Sequence, residues 1–536
     1  MTTKSPDRER RLLPRWRTSA AAVASGELRS TPTRDGTSLG VSAHPDFEEL
    51  LSGWKEEKSI ESAAELVSSA IVLGRVKEAA EAVRLLSDEG ADVAPLLRSI
   101  VNGDLLVKPA ARIPELDNSI ANRGKMFAAI GALKRRVRRF PRNAIAWMDL
   151  ALAQTVLGQG EKAREAVRVA LALAPENRFV LRSAARFFVH LGDLEQGLQV
   201  LRRSKLVRAD PWVMSAELSL SGVAGRDPES FKRARAFAEA NNVGPWHTSE
   251  LHGSLGTLEL ESGGGGRARK HFNRSLRQPT ENAVAQAQWA EIEHRAVNVP
   301  DQLPNEIQSF EAIALKAREE RAWPELLRAC REWSAMEPTS SRPLVLGGFV
   351  AEVALGNGDI AAEFTERLLV TSPTDFMAMN NHAVALAYRG DLLGARRILD
   401  RINRKSLSGT DRIVNIATEG LLAYREGKRD EGMRMYLEAA TEAESLKARE
   451  MQALALWHLL REEARYEGND LSDIVEKLWR KSSGLELPEL VSLKESIELE
   501  ITSTVKRRAS QHNLELALPR TLEQRFGHYL RAPDKD

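Results

Sequence analysis

Small residues return along this chain at an interval of 34: Gly158 and Gly192, Ala163 and Gly197, then Gly356 and Gly390, Ala361 and Ala395. A fixed period of that length means that one supersecondary unit is repeated, each copy burying its apolar face against the next. Such a chain builds an open stack of units and does not close around a single core. Between the glycines, apolar residues recur at helical spacing over segments of roughly 10–16 residues, and no alternating, strand-like pattern occurs. The 536 residues exceed what one core fills, and a content of 43% hydrophobic and 28% charged residues excludes wholesale disorder.

One copy shows the unit clearly. From Trp147, Leu150 and Ala151 follow on one helical face, and Gly158-Gln159-Gly160 breaks the helix. Ala163, Val167 and Ala170 lie on one face of a second helix, and Pro175 closes the unit. Helices cross closely only where small residues meet, with larger ones on the flanks. The spacing resembles the tetratricopeptide pattern W-x2-L-G-x2-Y-x8-A-x3-F-x2-A-x4-P, with Ala151 and Val167 as mild replacements and Gln154 in place of an aromatic. Copies at 178–211, 249–282, 376–409 and 413–446 follow it well, and those at 60–93 and 342–375 are degenerate. Stretches 94–143, 212–248 and 283–341 are helical but out of phase, and read as diverged hairpins with insertions such as Asn298–Pro304. The resemblance implies an all-α fold, a right-handed α-solenoid of tetratricopeptide-like hairpins, over roughly 45–500.

The expected organisation is a disordered basic arm (1–43), divergent repeats (44–143), regular repeats with basic second helices (144–282), further repeats with an insertion near 296–306 (283–446), and a helical C-terminal cap and tail (447–536). The arm is rich in Arg, Ser, Thr and Gly, and its Leu12-Leu13 is cut short by Pro14, so it lacks the apolar run of a secretory signal. No stretch approaches the roughly 18–20 apolar residues that span a bilayer, so no membrane partner is expected. The single cysteine, Cys330, cannot pair internally, which makes the cytoplasm the expected compartment.

Charge is unevenly spread. Residues 122–278 carry 27 Lys/Arg against 14 Asp/Glu, while the stretches on either side, 44–121 and 279–536, are net acidic. The cations Arg135, Arg138, Arg139, Arg164, Arg168, Arg202, Lys205, Arg269, Lys270 and Arg274 fall in second helices, which the resemblance places on the outer, convex surface. There they form either a solvated face or a positive stripe for an acidic protein or a phosphate backbone. First helices line the concave groove in this family, the usual partner site. Asp149, Arg182, Arg186, His190 and Asn381 are the expected groove residues, with Arg182 and Arg186 four apart on one face, a spacing suited to a carboxylate. Asn381 matches one place of the family's carboxylate clamp, but Leu346, Val350, Val414 and Thr418 occupy the others, so the clamp is not met.

Catalysis finds no foothold. Gly263–Gly266 lacks the strand and the Gly-Lys-Ser/Thr ending of a phosphate loop, and Glu291-Ile-Glu293-His294 lacks the second histidine of a zinc-protease helix. No metal and no cofactor is expected. The first reading is a non-enzymatic scaffold that binds a protein or peptide in its groove, with a second, acidic partner on the convex stripe. The alternative is a nucleic-acid-associated regulator using 122–278 together with Lys4–Arg17. A small-peptide sensor ranks third. On the first reading, Arg182→Glu with Arg186→Glu abolishes capture and leaves the melting profile unchanged.

Overall fold

Short polar side chains start the helical hairpins. In the computed structural model of the chain, Asn143 Oδ1 accepts the Ala146 N–H at 3.0 Å, Asn177 Oδ1 that of Val180 at 3.1 Å and Asp375 Oδ1 that of Ala378 at 2.8 Å. Each cap satisfies a backbone donor that the first helical turn leaves open. The break between paired helices is made by glycine in the left-handed region, with φ of 68° at Gly158, 75° at Gly192, 60° at Gly356 and 87° at Gly390. A side chain is strained there, which is why glycine keeps the 34-residue beat.

The structure describes residues 12–19, 22, 31–32, 38–39, 47–56, 58, 63, 66–67, 70, 75–88, 120–139, 141–294, 297–300, 303, 309–466, 487–497 and 499. The helices are α1 (Phe47–Glu56), α2 (Ala80–Asp88), α3 (Ile120–Arg139), α4 (Ala144–Val156), α5 (Gly160–Leu173), α6 (Arg178–His190), α7 (Leu194–Arg203), α8 (Pro211–Ala224), α9 (Phe231–Ala240), α10 (Pro245–Glu261) and α11 (Gly265–Ser275). They continue as α12 (Glu281–His294), α13 (Phe310–Glu319), α14 (Trp323–Met336), α15 (Arg342–Val353), α16 (Gly358–Thr371), α17 (Phe376–Arg389), α18 (Leu392–Leu399), α19 (Gly409–Arg425), α20 (Arg429–Ser445) and α21 (Arg449–Tyr466). A last helix, α22, covers residues 488–497. Among the described residues the strands are confined to a two-residue antiparallel ladder, Thr31–Pro32 with Ser38–Leu39.

The chain is an α-solenoid of such hairpins, folded as two compact units: Met1–Lys316 with Arg331–Ser340, and Ala317–Cys330 with Ser341–Asp536. In the first, α4–α5, α6–α7, α8–α9 and α10–α11 pair as hairpins, so the out-of-phase stretch 212–248 is a hairpin too. In the second, α15–α16, α17–α18 and α19–α20 pair, and α21 packs on α20. Leu490, Leu493 and Ile497 of α22 join the same core, while Arg318 binds Glu489 through Nε (2.5 Å) and Nη2 (3.1 Å). Of the expected C-terminal cap and tail (447–536), residues 467–486, 498 and 500–536 lie outside the described residues.

Small residues permit the crossings. The α19–α20 pair meets at Gly420 and Gly432; a Cβ on Gly432 would lie 2.8 Å from the Gly420 carbonyl and against the Tyr424 ring. Backbone cannot move aside as a side-chain tip can, so the helices must part. We expect Gly432→Ala to cost about 1–3 kcal/mol in the second unit, read as a lower thermal midpoint. An unchanged or raised midpoint would refute this packing.

Candidate functional site

In the first unit the paired helices are buried very differently. The second helices keep one face inward: α5 buries Ala163, Ala166, Val167 and Ala170, and α9 only Ala234 and Ala238. The first helices are covered almost all round, α6 continuously from Arg178 to Phe188 and α8 from Pro211 to Ser221. Neighbouring helices account for two sides of that burial. On α4, α6, α10 and α12, part of the rest comes from a piece of the chain itself.

Residues 12–18, in no regular secondary structure, lie along these helices, and Ser19 begins a helical turn in which the Thr18 carbonyl accepts the Ala22 N–H at 2.9 Å. This corrects the expectation of a disordered arm, for these residues: Leu12, Leu13, Trp16, Arg15 and Arg17 are all buried. The reason is that this short run combines three large apolar side chains with two cations, and the helices supply matching surfaces. Ser19 donates its N–H to Asp149 Oδ1 (2.8 Å) and its hydroxyl to Asp149 Oδ2 (2.6 Å) on α4. The Trp16 ring stands edge-on to Phe187 of α6, with centroids 5.7 Å apart. On α12, Asn282 Nδ2 donates to the Leu13 carbonyl at 2.9 Å. On α10, Gly253 leaves room for Leu12, whose Cδ1 lies only 2.6 Å from where a Cβ would be.

Acidic residues from three places converge on Arg15. Its Nη1 lies 3.2 Å from Glu281 of α12 and 3.0 Å from Glu337, and its Nη2 lies 3.4 Å from Glu311 of α13. Arg17 Nη2 reaches Glu281 at 2.5 Å. Glu337 is further fixed by the Trp333 indole N–H at 3.0 Å. Arg15 and Arg17, read from sequence as phosphate contacts, are thus engaged by carboxylates of their own chain.

The groove residues named from sequence have internal partners. Asp149 holds Ser19; burial pushes its carboxyl pKa up, while the Arg136 charge and the two Ser19 donors hold it down. Arg182 meets Glu250 of α10 at 2.6 Å and lies over the Trp212 ring, 4.8 Å from its centroid. Arg186 Nη2 donates to Ser340 Oγ at 3.4 Å, and His190 Nδ1 lies 3.2 Å from the Thr339 carbonyl. One turn earlier, Arg178 forks onto Asp210, the cap of α8. The four-residue arginine spacing on α6 is real, but its first two targets are carboxylates of neighbouring hairpins. Asn381 belongs to α17 in the second unit, half-buried beside Asn380, and is not grouped with these residues.

Sequence reasoning missed Glu311 and Glu337 because they fall in the out-of-phase stretch 283–341, where no repeat register tells which way a residue points, and it missed Glu281 and Asn282 at the very end of the in-phase copy 249–282. It read Leu12–Ser19 as part of a disordered basic arm, with Lys4–Arg17 as phosphate contacts in the alternative reading. A Trp between two arginines, just after Leu-Leu, in an otherwise polar segment was the available signal.

On the basic second helices, Arg135, Arg138, Arg168, Arg269, Lys270 and Arg274 are exposed, while Lys205, also exposed, lies beyond the end of α7 in a 3-10 turn, Lys205–Arg208, and so departs from the expected placement. Arg168 pairs with Glu165 at 3.3 Å, and the half-exposed Arg164 reaches Asp193 at 3.8 Å. Arg202 departs from the expected stripe, since it lies partly buried and spans Glu217 at 2.9 Å and Glu229 at 3.0 Å. The Arg139 side chain lies outside the described residues.

Among the described residues, no three His, Cys, Asp or Glu side chains stand together as a metal site. His252 of α10 and His271 of α11 do meet, Nδ1 to Nδ1 at 3.1 Å. Burial, then the His271, Arg274 and Arg277 charges, push the His252 pKa down to about 3, and His271 is lowered as well. The unfolded chain therefore binds protons that the folded chain does not, so stability present above pH 6.5 is lost as pH falls toward 3. The slope is at most about 1.4 kcal/mol per pH unit for His252. Thermal midpoints of wild type should fall below pH 6.5, and His252→Gln should flatten the profile between 6.5 and 4. Parallel profiles for the two proteins would exclude this pair as the source.

No protein-family profile and no curated protein matches the chain. Among solved structures, a human IFIT1 dimer with PPP-AAAA aligns over 88% of this chain and 98% of its own, with 12% identity and a TM-score of 0.31. Yeast Tom70 aligns over 88% and 98%, at 12% identity and a TM-score of 0.29. A monomeric IFIT1 mutant with Gppp-AAAA aligns over 89% and 99%, at 14% identity and a TM-score of 0.25. At these values the likenesses carry no argument about what the chain binds.

Proposed function

We propose that this chain is a non-enzymatic, tetratricopeptide-like scaffold of the cytoplasm whose first unit takes an extended peptide segment of a partner protein along its first helices. The observation that supports this reading is the way residues 12–19 are seated there. Side-chain groups grip the backbone at two separated points, Asp149 on the Ser19 N–H and Asn282 on the Leu13 carbonyl. Between those points, apolar and acidic surfaces receive alternate side chains. Main-chain contacts give affinity for any extended strand, and side-chain pockets give selectivity.

Selection of displayed peptides on the full chain tests the reading. Enriched peptides should combine arginine with leucine or tryptophan, and a folded Glu311→Lys variant should lose them. The same enrichment on the variant would overturn it.

A second reading rests on the exposed cations of α3, α5, α7 and α11, which suit a phosphate polyanion. It is weakened where Arg164, Arg168 and Arg202 are already paired with carboxylates of the chain. Nuclease-sensitive binding that weakens steeply with salt would favour it over the peptide groove.

A further inference from the structure

We propose that residues 12–19 are an exchangeable ligand of the groove in which they lie, and that the partner they compete with is a protein segment carrying two arginines separated by one bulky apolar or aromatic residue. This rests on the reading of that groove as a peptide site. Charge supports it. Glu311 and Glu337 are almost fully buried, and with Glu281 they surround a single guanidinium. If the segment leaves and nothing replaces it, the three carboxylates lose the cation that they share and face one another across the vacated space, a repulsion that another cation would relieve. The empty groove therefore selects a replacement cation.

The geometry selects which cation. Arg15 reaches carboxylates of α12, of α13 and of the 331–340 stretch through two separate nitrogens, and Arg17 shares Glu281. A planar guanidinium with several fixed donors can do this, whereas a lysine ammonium is a point charge that cannot fork across them. The apolar neighbours set the register. The space at Gly253 accepts a branched aliphatic side chain three residues before the first arginine, and Phe187 packs perpendicular to the ring of the residue between the two arginines.

The seat is also built to be left. Residues 12–18 form no helix or strand, so their departure breaks no ladder. The hydrogen bonds that hold Ser19 and the Leu13 carbonyl come from side chains of α4 and α12, which remain in place to receive another strand. Because the segment is covalently attached, it competes at an effective concentration of roughly millimolar order. A partner must exceed that, or the segment must first be released.

The test uses the full chain and a dye-labelled synthetic peptide with the sequence of residues 10–22, read by fluorescence anisotropy. Arg15→Glu with Arg17→Glu sets carboxylates against carboxylates and releases the segment at one end. Ser19→Asp, facing Asp149, releases it at the other. Both variants should bind the peptide at least about tenfold more tightly than wild type, as expected when a tethered competitor is removed. Hydrogen exchange in residues 12–19 should rise in both, with circular dichroism unchanged. A peptide with lysine at both arginine positions should bind at least about tenfold more weakly.

Wild type binding the peptide as tightly as the released variants would overturn the competition while leaving the groove a peptide site. Released, folded variants that bind no peptide would overturn the groove reading itself. Variants that both lose their fold would make residues 12–19 a structural strut and overturn the exchange. A wild-type dimer formed by swapping the segment between copies would replace the partner by a second chain.

Discussion

Arg182→Glu is expected to unfold the first unit well before it reports on binding. Arg182 and Glu250 are both almost fully buried, 4% and 5% exposed at their side chains, and meet at 2.6 Å. Charge reversal removes the cation that compensates Glu250 and puts a second carboxylate in its place. Removing one partner of a buried pair costs about 3–5 kcal/mol, and the new repulsion adds to it. The guanidinium also leaves the face of Trp212. We expect a fall of roughly 5 °C or more in the unfolding midpoint. This is opposite to the silent melting profile that the repeat register implies for Arg182→Glu with Arg186→Glu. The double variant Arg182→Met with Glu250→Gln removes both charges and should recover most of the loss, since a buried pair replaced by neutral groups is often near neutral. Equal melting of Arg182→Glu and wild type would show that the pair is not buried in solution.

Glu217→Leu is expected to be nearly as damaging, because this one carboxylate on α8 holds many donors. Oε1 accepts Arg202 through Nε (3.0 Å) and Nη2 (2.9 Å), the Ser221 hydroxyl (2.9 Å) and the Glu229 N–H (3.1 Å). Oε2 accepts the Ser230 hydroxyl (2.5 Å) and the Ser230 N–H (3.3 Å). Glu217 therefore fixes the turn between α8 and α9 and draws Arg202 of α7 inward. A leucine fills the volume but leaves buried donors unmatched, costing about 3–5 kcal/mol. Urea unfolding of full-length wild type, Glu217→Gln and Glu217→Leu should rank in that order. Glu217→Leu as stable as Glu217→Gln would remove the carboxylate from this role.

The two variants mark where sequence reasoning works and where it stops. The register correctly put Asp149 and Arg182 on first helices, because helical period and hairpin turns are local. It could not tell that Arg182 has a carboxylate waiting 68 residues further on. It placed Arg202 among outward cations, although Glu217, on the next first helix, turns it into a structural tie.

What the chain's own letters settled is the architecture. Periodic apolar spacing, Asn and Asp caps, and left-handed glycines at 34-residue intervals act between residues a few positions apart, and each repeat needs only its neighbours. What only the tertiary structure decided is how the charges are spent and what fills the groove. Arg15 finds Glu281 across 266 positions and Glu311 across 296. Contacts of that range follow no period. They depend on how completely water is excluded where the chain segments meet, and no stretch of sequence carries that on its own.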